Sequence, residues 1–132
     1  MEIKFRAWNK HEKQYRTWED ILSHHYNERW FIDNTDKEYI NCIFTDLDII
    51  LEAYTGLKDN IKKDIYEGDI VECWSAYGGR FKAEIVFQDG CFEIQEPQGK
   101  DGVFRDYLKC FTCNHAVEII GNIHQNPELL ED

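Results

Sequence analysis

The sequence predicts a mainly β fold: a small, strongly bent antiparallel sheet or partly open barrel carrying one or two short helices. Three observations predict it. Side chains alternate apolar and charged from Arg80 to Gln95 around a central Asp89-Gly90. Turn signals recur about every ten residues. Finally, the chain has 132 residues, of which 42% are hydrophobic and 14% aromatic. That is enough to bury a single core without metal or disulfide support, so one domain spanning 1–132 is expected.

The opening Ile3, Phe5 and Ala7 alternate with Lys4 and Arg6, the period of a half-buried strand. Asn9 to Lys13 reads as a turn, and Gln14 to Trp18 as a returning arm. A helix is predicted over 17–30, with Thr17 as cap and Glu19 and Asp20 in the first turn. Trp18, Ile21, Leu22, His25 and Tyr26 follow its spacing. Asn34-Thr35-Asp36 ends that segment, and Tyr39 to Phe44 reads as a strand. Asp46 to Tyr54 fits either a strand or a short helix, and Thr55-Gly56 ends it in both cases.

Gly68-Asp69 turns the chain into an expected strand, Ile70 to Trp74, and Gly78-Gly79 turns it again. In the hairpin that follows, Phe81, Ala83, Ile85 and Phe87 face Phe92 and Ile94 across Asp89-Gly90. Asp-Gly suits a type I′ turn, whose two central residues need positive φ. Each large side chain buried there contributes roughly 1.5–3 kcal/mol. Pro97 to Gly102 is a loop, Val103 to Phe111 reads as a strand, and Val117 to Ile123 as another interrupted by Gly121. Asn126-Pro127-Glu128 predicts a brief capped helix through Leu130.

Charge narrows the function classes. Fifteen Lys and Arg stand against 26 Asp and Glu, a net charge of −11. Such a surface repels a phosphate backbone, so direct nucleic-acid binding is not expected. The densest basic stretch, Lys58 to Lys63, is interrupted by Asp59 and followed by Asp64. No apolar run approaches the ~20 residues of a membrane span. The alternating N-terminus lacks the apolar stretch of a signal peptide, so the expected compartment is the cytoplasm. Five cysteines (Cys42, Cys73, Cys91, Cys110 and Cys113) are an odd number, read as reduced thiols, some buried as small hydrophobes.

For chemistry, Cys110-x-x-Cys113 with His115 is the best metal candidate, because two thiolates and an imidazole fill three corners of a zinc tetrahedron. A structural zinc site normally takes a second Cys pair, which the sequence lacks, so reduced cysteines at a strand end and no cofactor are expected. His24-His25 with Glu28 does not match the His-Glu-x-x-His zinc pattern and reads as a polar face. Asp46 with Asp48, and Glu67 with Asp69 around Gly68, are paired carboxylates equally explained by exposed charge and turn chemistry. No phosphate-cradling loop, nucleophile elbow or dinucleotide fingerprint is present, and no catalytic residue is assigned.

Three segments together resemble the YopX-like family of small phage and prophage proteins: Ile3-Lys4-Phe5-Arg6-Ala7-Trp8, YTGLKD at 54–59 with IYEGDIV at 65–71, and EIIGNIHQNPELLED at 118–132. They stand in the family's order and span nearly the whole chain. The resemblance implies a phage-encoded accessory protein with a β-rich fold, no established enzymatic activity and a tendency to homo-oligomerise. Where the family usually carries an Asn-Gly turn, this chain has Asn60-Ile61-Lys62-Lys63, so a wider loop is expected.

Thr55, Lys58, Asp59, Glu67 and Asp69 are the surface-turn positions singled out for binding, against the alternative that these turns serve the fold. The expected function is a non-enzymatic module that binds a protein partner or itself. Two rivals stand beside it. One is an acidic DNA mimic occupying a host nucleic-acid-binding protein, motivated by the charge. The other is a zinc-stabilised module or metal-dependent enzyme built on Cys110, Cys113 and His115.

Overall fold

The structure is a computed structural model that describes residues 2–23, 49–74, 79–97 and 105–131. Its described residues form two antiparallel sheets, one curled into a half-barrel, and two short helices. The mainly β class is therefore correct. The chain divides into two compact units, Glu2–Ala53 and Tyr54–Asp132.

In the first unit, β1 (Phe5–Asn9) and β2 (Gln14–Arg16) form an antiparallel hairpin. Its turn is built by Asn9, whose side-chain oxygen accepts the His11 and Glu12 amides at 2.9 Å. Lys13 takes a positive φ of 57° to bring the chain back. The helix α1 (Trp18–Ser23) starts where the sequence indicates. Thr17 Oγ1 accepts the Asp20 amide at 3.0 Å, while an Asp20 carboxylate oxygen accepts the Thr17 amide at 3.4 Å. That reciprocal cap satisfies two donors the helix leaves open. The rest of the predicted 17–30 helix, the 39–44 strand, Asp46 and Asp48 lie outside the described residues.

The ambiguous segment resolves as strand from Ile49 onward, and Thr55-Gly56 does not end it as expected: β3 (Ile49–Lys58) runs through both residues. Its first five residues pair with β1, placing Glu52 opposite Arg6 and Ile50 opposite Trp8. Ala7, Trp8, Ile21 and Ile49 are buried in this unit.

In the second unit, the end of β3 pairs with β4 (Asp64–Tyr66), with a register shift between Tyr54 and Lys58. Five further strands are β5 (Asp69–Trp74), β6 (Arg80–Gln88), β7 (Cys91–Gln95), β8 (Arg105–Tyr107) and β9 (Ala116–Asn122). They form one antiparallel sheet in the order β8-β7-β6-β5-β9. The hairpin turn is type I′ as its residues demand, with φ of 54° at Asp89 and 81° at Gly90. Ile85 faces Ile94, and both are fully buried with Val71, Cys73, Ala83, Ile65 and Leu108. Phe87 departs from the expected inward row, being 54% exposed. It lies near the hairpin tip, where it packs edge-on against Phe92 at 5.0 Å.

Three sequence expectations need correction here. The predicted strand over 103–111 stops at Tyr107, and α2 (Leu108–Asn114) begins at once. Leu108 and Phe111, one helical turn apart, both enter the core, with Phe111 edge-on to Phe81 at 5.9 Å. Two such anchors outweigh the local β-propensity. The second correction concerns Gly121, which does not break its strand: β9 runs through it, and a register shift opposite Ile70 and Val71 absorbs the irregularity. The third concerns the cap of the C-terminal segment: the brief helix through Leu130 forms, as a 3-10 helix (Pro127–Leu130), but without a side-chain cap. Asn126 does not cap it, because its side-chain oxygen accepts the Asn122 amide instead. No helix among the described residues is long and apolar enough to cross a membrane.

Candidate functional site

Thr55, Lys58, Asp59, Glu67 and Asp69 all lie between the end of β3 and the start of β5. Gly56 and Gly68 take φ of 85° and 89°, conformations that a side chain would strain. Thr55 is buried, and its hydroxyl donates to the Ile65 carbonyl at 2.8 Å while accepting the Leu57 amide at 3.2 Å. The hydroxyl thus bridges the irregular register between β3 and β4.

Asp59 is only 4% exposed. One carboxylate oxygen accepts the Ile61 and Lys63 amides at 3.0 and 2.9 Å. The other accepts the Ile119 amide of β9 at 3.0 Å. The neighbouring Asn60 amide donates to the Val117 carbonyl at 2.9 Å. The loop from Asp59 to Lys63 is therefore wide, as its sequence indicates, and it covers backbone groups on the outer edge of β9. Sheet edges left bare invite pairing with other chains, and this loop removes part of that edge.

The second turn works the same way. Asp69 is 2% exposed and accepts the Tyr66 amide at 2.8 Å. Gly68 donates its amide to the Ile85 carbonyl and accepts the Ile123 amide, so this turn pins β6 and the end of β9. Thr55, Asp59 and Asp69 are thus buried rather than surface positions, and their polar atoms bind backbone. Lys58 is exposed in an ion pair with Asp64, and Glu67 is half-buried.

The metal candidate is not assembled in one place. Cys110 and Cys113 are exposed on α2, while the His115 ring lies against Phe111 with centroids 4.4 Å apart. Among the described residues, no three His, Cys, Asp or Glu side chains gather as a metal site. Cys73 is fully buried in the core, and burial, aided by the charges of Glu72 and Glu96, pushes its thiol up to about 12. Cys91 is exposed, so burial as a small hydrophobe holds for Cys73 and fails for Cys91, Cys110 and Cys113. Cys42, His24, His25 and Glu28 lie outside the described residues.

Sequence reasoning missed two polar clusters. In the first unit, Glu52 is 3% exposed and accepts from Arg6 Nε and from the Tyr15 hydroxyl, both at 2.9 Å. The Arg6 guanidinium also lies over the Tyr15 ring, 4.3 Å from its centroid. On the outer strands of the second unit, Arg105 donates through Nε and Nη2 to the Glu93 carboxylate at 2.9–3.2 Å, and Gln95 Nε2 donates to it at 3.2 Å. These bonds, from Gln95 first and then Arg105, hold the Glu93 carboxyl below its usual range. The only trace in the sequence is opposite charges on alternating strands whose pairing it does not reveal.

The family model for YopX protein matches residues 4–131, almost the whole chain. This protein belongs to the YopX family. Two solved structures share the family's fold with it. Protein EF1440 from Enterococcus faecalis is 22% identical, with 99% of each chain covered and a TM-score of 0.56. Protein yopX from Bacillus subtilis is also 22% identical, over 97% of this chain and 98% of that one, with a TM-score of 0.57. At that identity the likeness speaks for the YopX fold alone. No curated protein matches the chain. The two turn segments that carry the resemblance, YTGLKD and IYEGDIV, are the same ones whose Thr55, Asp59 and Asp69 hold backbone together.

Proposed function

We propose that this YopX-family chain is a phage- or prophage-encoded accessory protein of the host cytoplasm, a non-enzymatic module that binds a protein partner or a second copy of itself. One observation carries the reading: the tip of the β6–β7 hairpin presents an exposed aromatic side chain. Phe87 is 54% exposed while Ile85 and Ile94, one register step inward, are fully buried. Phe92 supports Phe87 from the facing strand. Tyr107, on the edge strand β8, is 55% exposed too, but it pairs with Glu93 and so stands on the opposite face of the sheet from Phe87 and Phe92. Aromatic side chains fixed by a stiff frame give contact area at little entropic cost, which is why they are enriched at interfaces. Thr55, Asp59 and Asp69 favour the same reading, since their side-chain oxygens are already engaged with backbone.

Light scattering on the purified chain, with affinity capture from host cells, tests it. A specific assembly or a captured partner that Phe87→Asp abolishes, at unchanged thermal stability, is the expected result. A strict monomer that captures nothing, or an assembly indifferent to Phe87 and Tyr107, would count against it.

A further inference from the structure

The most unusual placement of reactive groups is on α2. Leu108 and Phe111 turn into the core, while Lys109, Cys110, Cys113 and Asn114 are exposed. At 100° per residue, Cys110 and Cys113 flank the centre of the outward face, opposite the two anchors. Free cysteine is among the most buried residue types and usually serves as a small hydrophobe. Neither thiol does that here. The seven residues of the helix, LKCFTCN, include no carboxylate and no histidine. The outward face therefore offers sulfur as its only strong metal donor.

Geometry decides what two such thiols can do. Residues three apart on a helix have Cβ atoms roughly 5–6 Å apart. A disulfide wants about 3.5–4.5 Å, so bonding the two sulfurs directly would distort the helix. A zinc ion, with sulfur bonds of about 2.3 Å on either side, spans the wider gap. The pair thus suits a shared metal better than a bond to itself. It supplies only half a tetrahedron, and among the described residues the chain brings no third ligand to it.

We propose that Cys110 and Cys113 form a thiolate half-site for zinc, or a metal of similar thiophilicity, completed by the same two cysteines of a second copy. Two copies related by a twofold axis present identical outward faces, so four sulfurs close around one ion. The half-site lies on α2, a different element from the β6–β7 hairpin that carries Phe87, although Tyr107 is the N-cap of α2. Its dimer requires metal, whereas assembly through Phe87 does not.

The test uses the full-length chain, reduced and freed of metal by a chelator that is then removed. Zinc is titrated while light scattering reads the mass, and cadmium is titrated while ultraviolet absorption reports thiolate-to-metal charge transfer. Binding is expected to saturate at about half an ion per chain, with the mass doubling and a chelator restoring the starting mass. Cys110→Ser/Cys113→Ser should lose both signals and keep the parent's melting temperature, because the two side chains are exposed. Cys91→Ser should keep both. Saturation at one ion per monomer, metal binding that survives the double substitution, or no binding at all would each overturn the proposal.

Discussion

Asp59 Oδ2 accepts the backbone amide of Ile119, sixty positions later in the chain, at 3.0 Å. Through that bond a short loop after β3 ties itself to the far edge of the five-stranded sheet. The same carboxylate also accepts the Ile61 and Lys63 amides, so Asp59→Ala strips an acceptor from three amides at once. Water can reach the amides of the exposed Ile61 and Lys63, whereas the Ile119 amide on β9 is harder to resolvate, so the expected loss is about 1–3 kcal/mol. Asp59→Asn should lose less, because one oxygen still serves Ile61 and Lys63 while the amide nitrogen faces Ile119 donor to donor. Urea denaturation of the three proteins checks the order wild type, Asn, Ala.

Gly121 is required by a close approach. A Cβ there would lie 2.6 Å from Asn126 Oδ1 and 2.9 Å from Asn126 Cβ. Rotating the Asn126 side chain relieves the first contact but not the second, and it breaks the bond from the Asn122 amide. Gly121→Ala is expected to cost about 1–3 kcal/mol. Asn126→Gly should partly rescue it, so the double variant falls short of the summed single losses in a denaturation cycle.

Arg6 and Glu52 make the first unit's buried ion pair, with side chains 16% and 4% exposed. Arg6→Ala removes the guanidinium from a carboxylate that water barely reaches, a loss expected to be roughly 3 kcal/mol. Tyr15→Phe removes one hydroxyl donor and should cost about 1 kcal/mol. Replacing Arg6 and Glu52 together by methionine should cost less than Arg6→Ala alone, since no buried charge is left behind. Thermal unfolding of the three variants separates these outcomes.

Much of the architecture was legible because its causes are local. Asp89-Gly90 fixes its hairpin through two positive φ angles, and Thr17 with Asp20 caps α1 within one turn. What was illegible depended on partners far away in sequence. Asp59 looks like an ordinary turn acid until Ile119 is beside it. Glu52 looks like an exposed charge until β1 brings Arg6 opposite. The helix α2 is too short to show a period, and only the pocket waiting for Leu108 and Phe111 distinguishes it from a strand. The YTGLKD and EGDIV turns announced themselves as motifs but concealed their role. A buried carboxylate binding amides and an exposed one binding a ligand have the same spelling.

Acid should weaken the contribution of Glu93. Its carboxyl is held below the usual range in the folded state by Gln95 and Arg105, so the folded chain binds that proton less readily than the unfolded chain. The stabilisation is fully present above the unfolded value, near 4.5, and is lost as pH falls through the folded value. Glu93→Gln should therefore be less stable than the parent at neutral pH, with the gap closing in acid. Arg105→Ala should narrow the same gap at neutral pH. Melting curves from pH 7 downward decide it, and a gap independent of pH would show that Glu93 acts by packing alone.

Cys73 offers a chemical check on the core. Its side chain is fully buried between β6 and β9, paired with Phe81 and Val117, and burial pushes its thiol up to about 12. A thiol attacks an alkylating reagent as thiolate, so both the scarcity of that form and the lack of access protect it. Native protein treated with iodoacetamide near pH 8 should carry the label at Cys91, Cys110 and Cys113 long before Cys73, read by peptide mass mapping. In urea Cys73 should react like the others. Early labelling of Cys73 in the native state would mean that the sheet opens at β5, and the edge protection assigned to Asp59 would then be too weak to hold β9 in place.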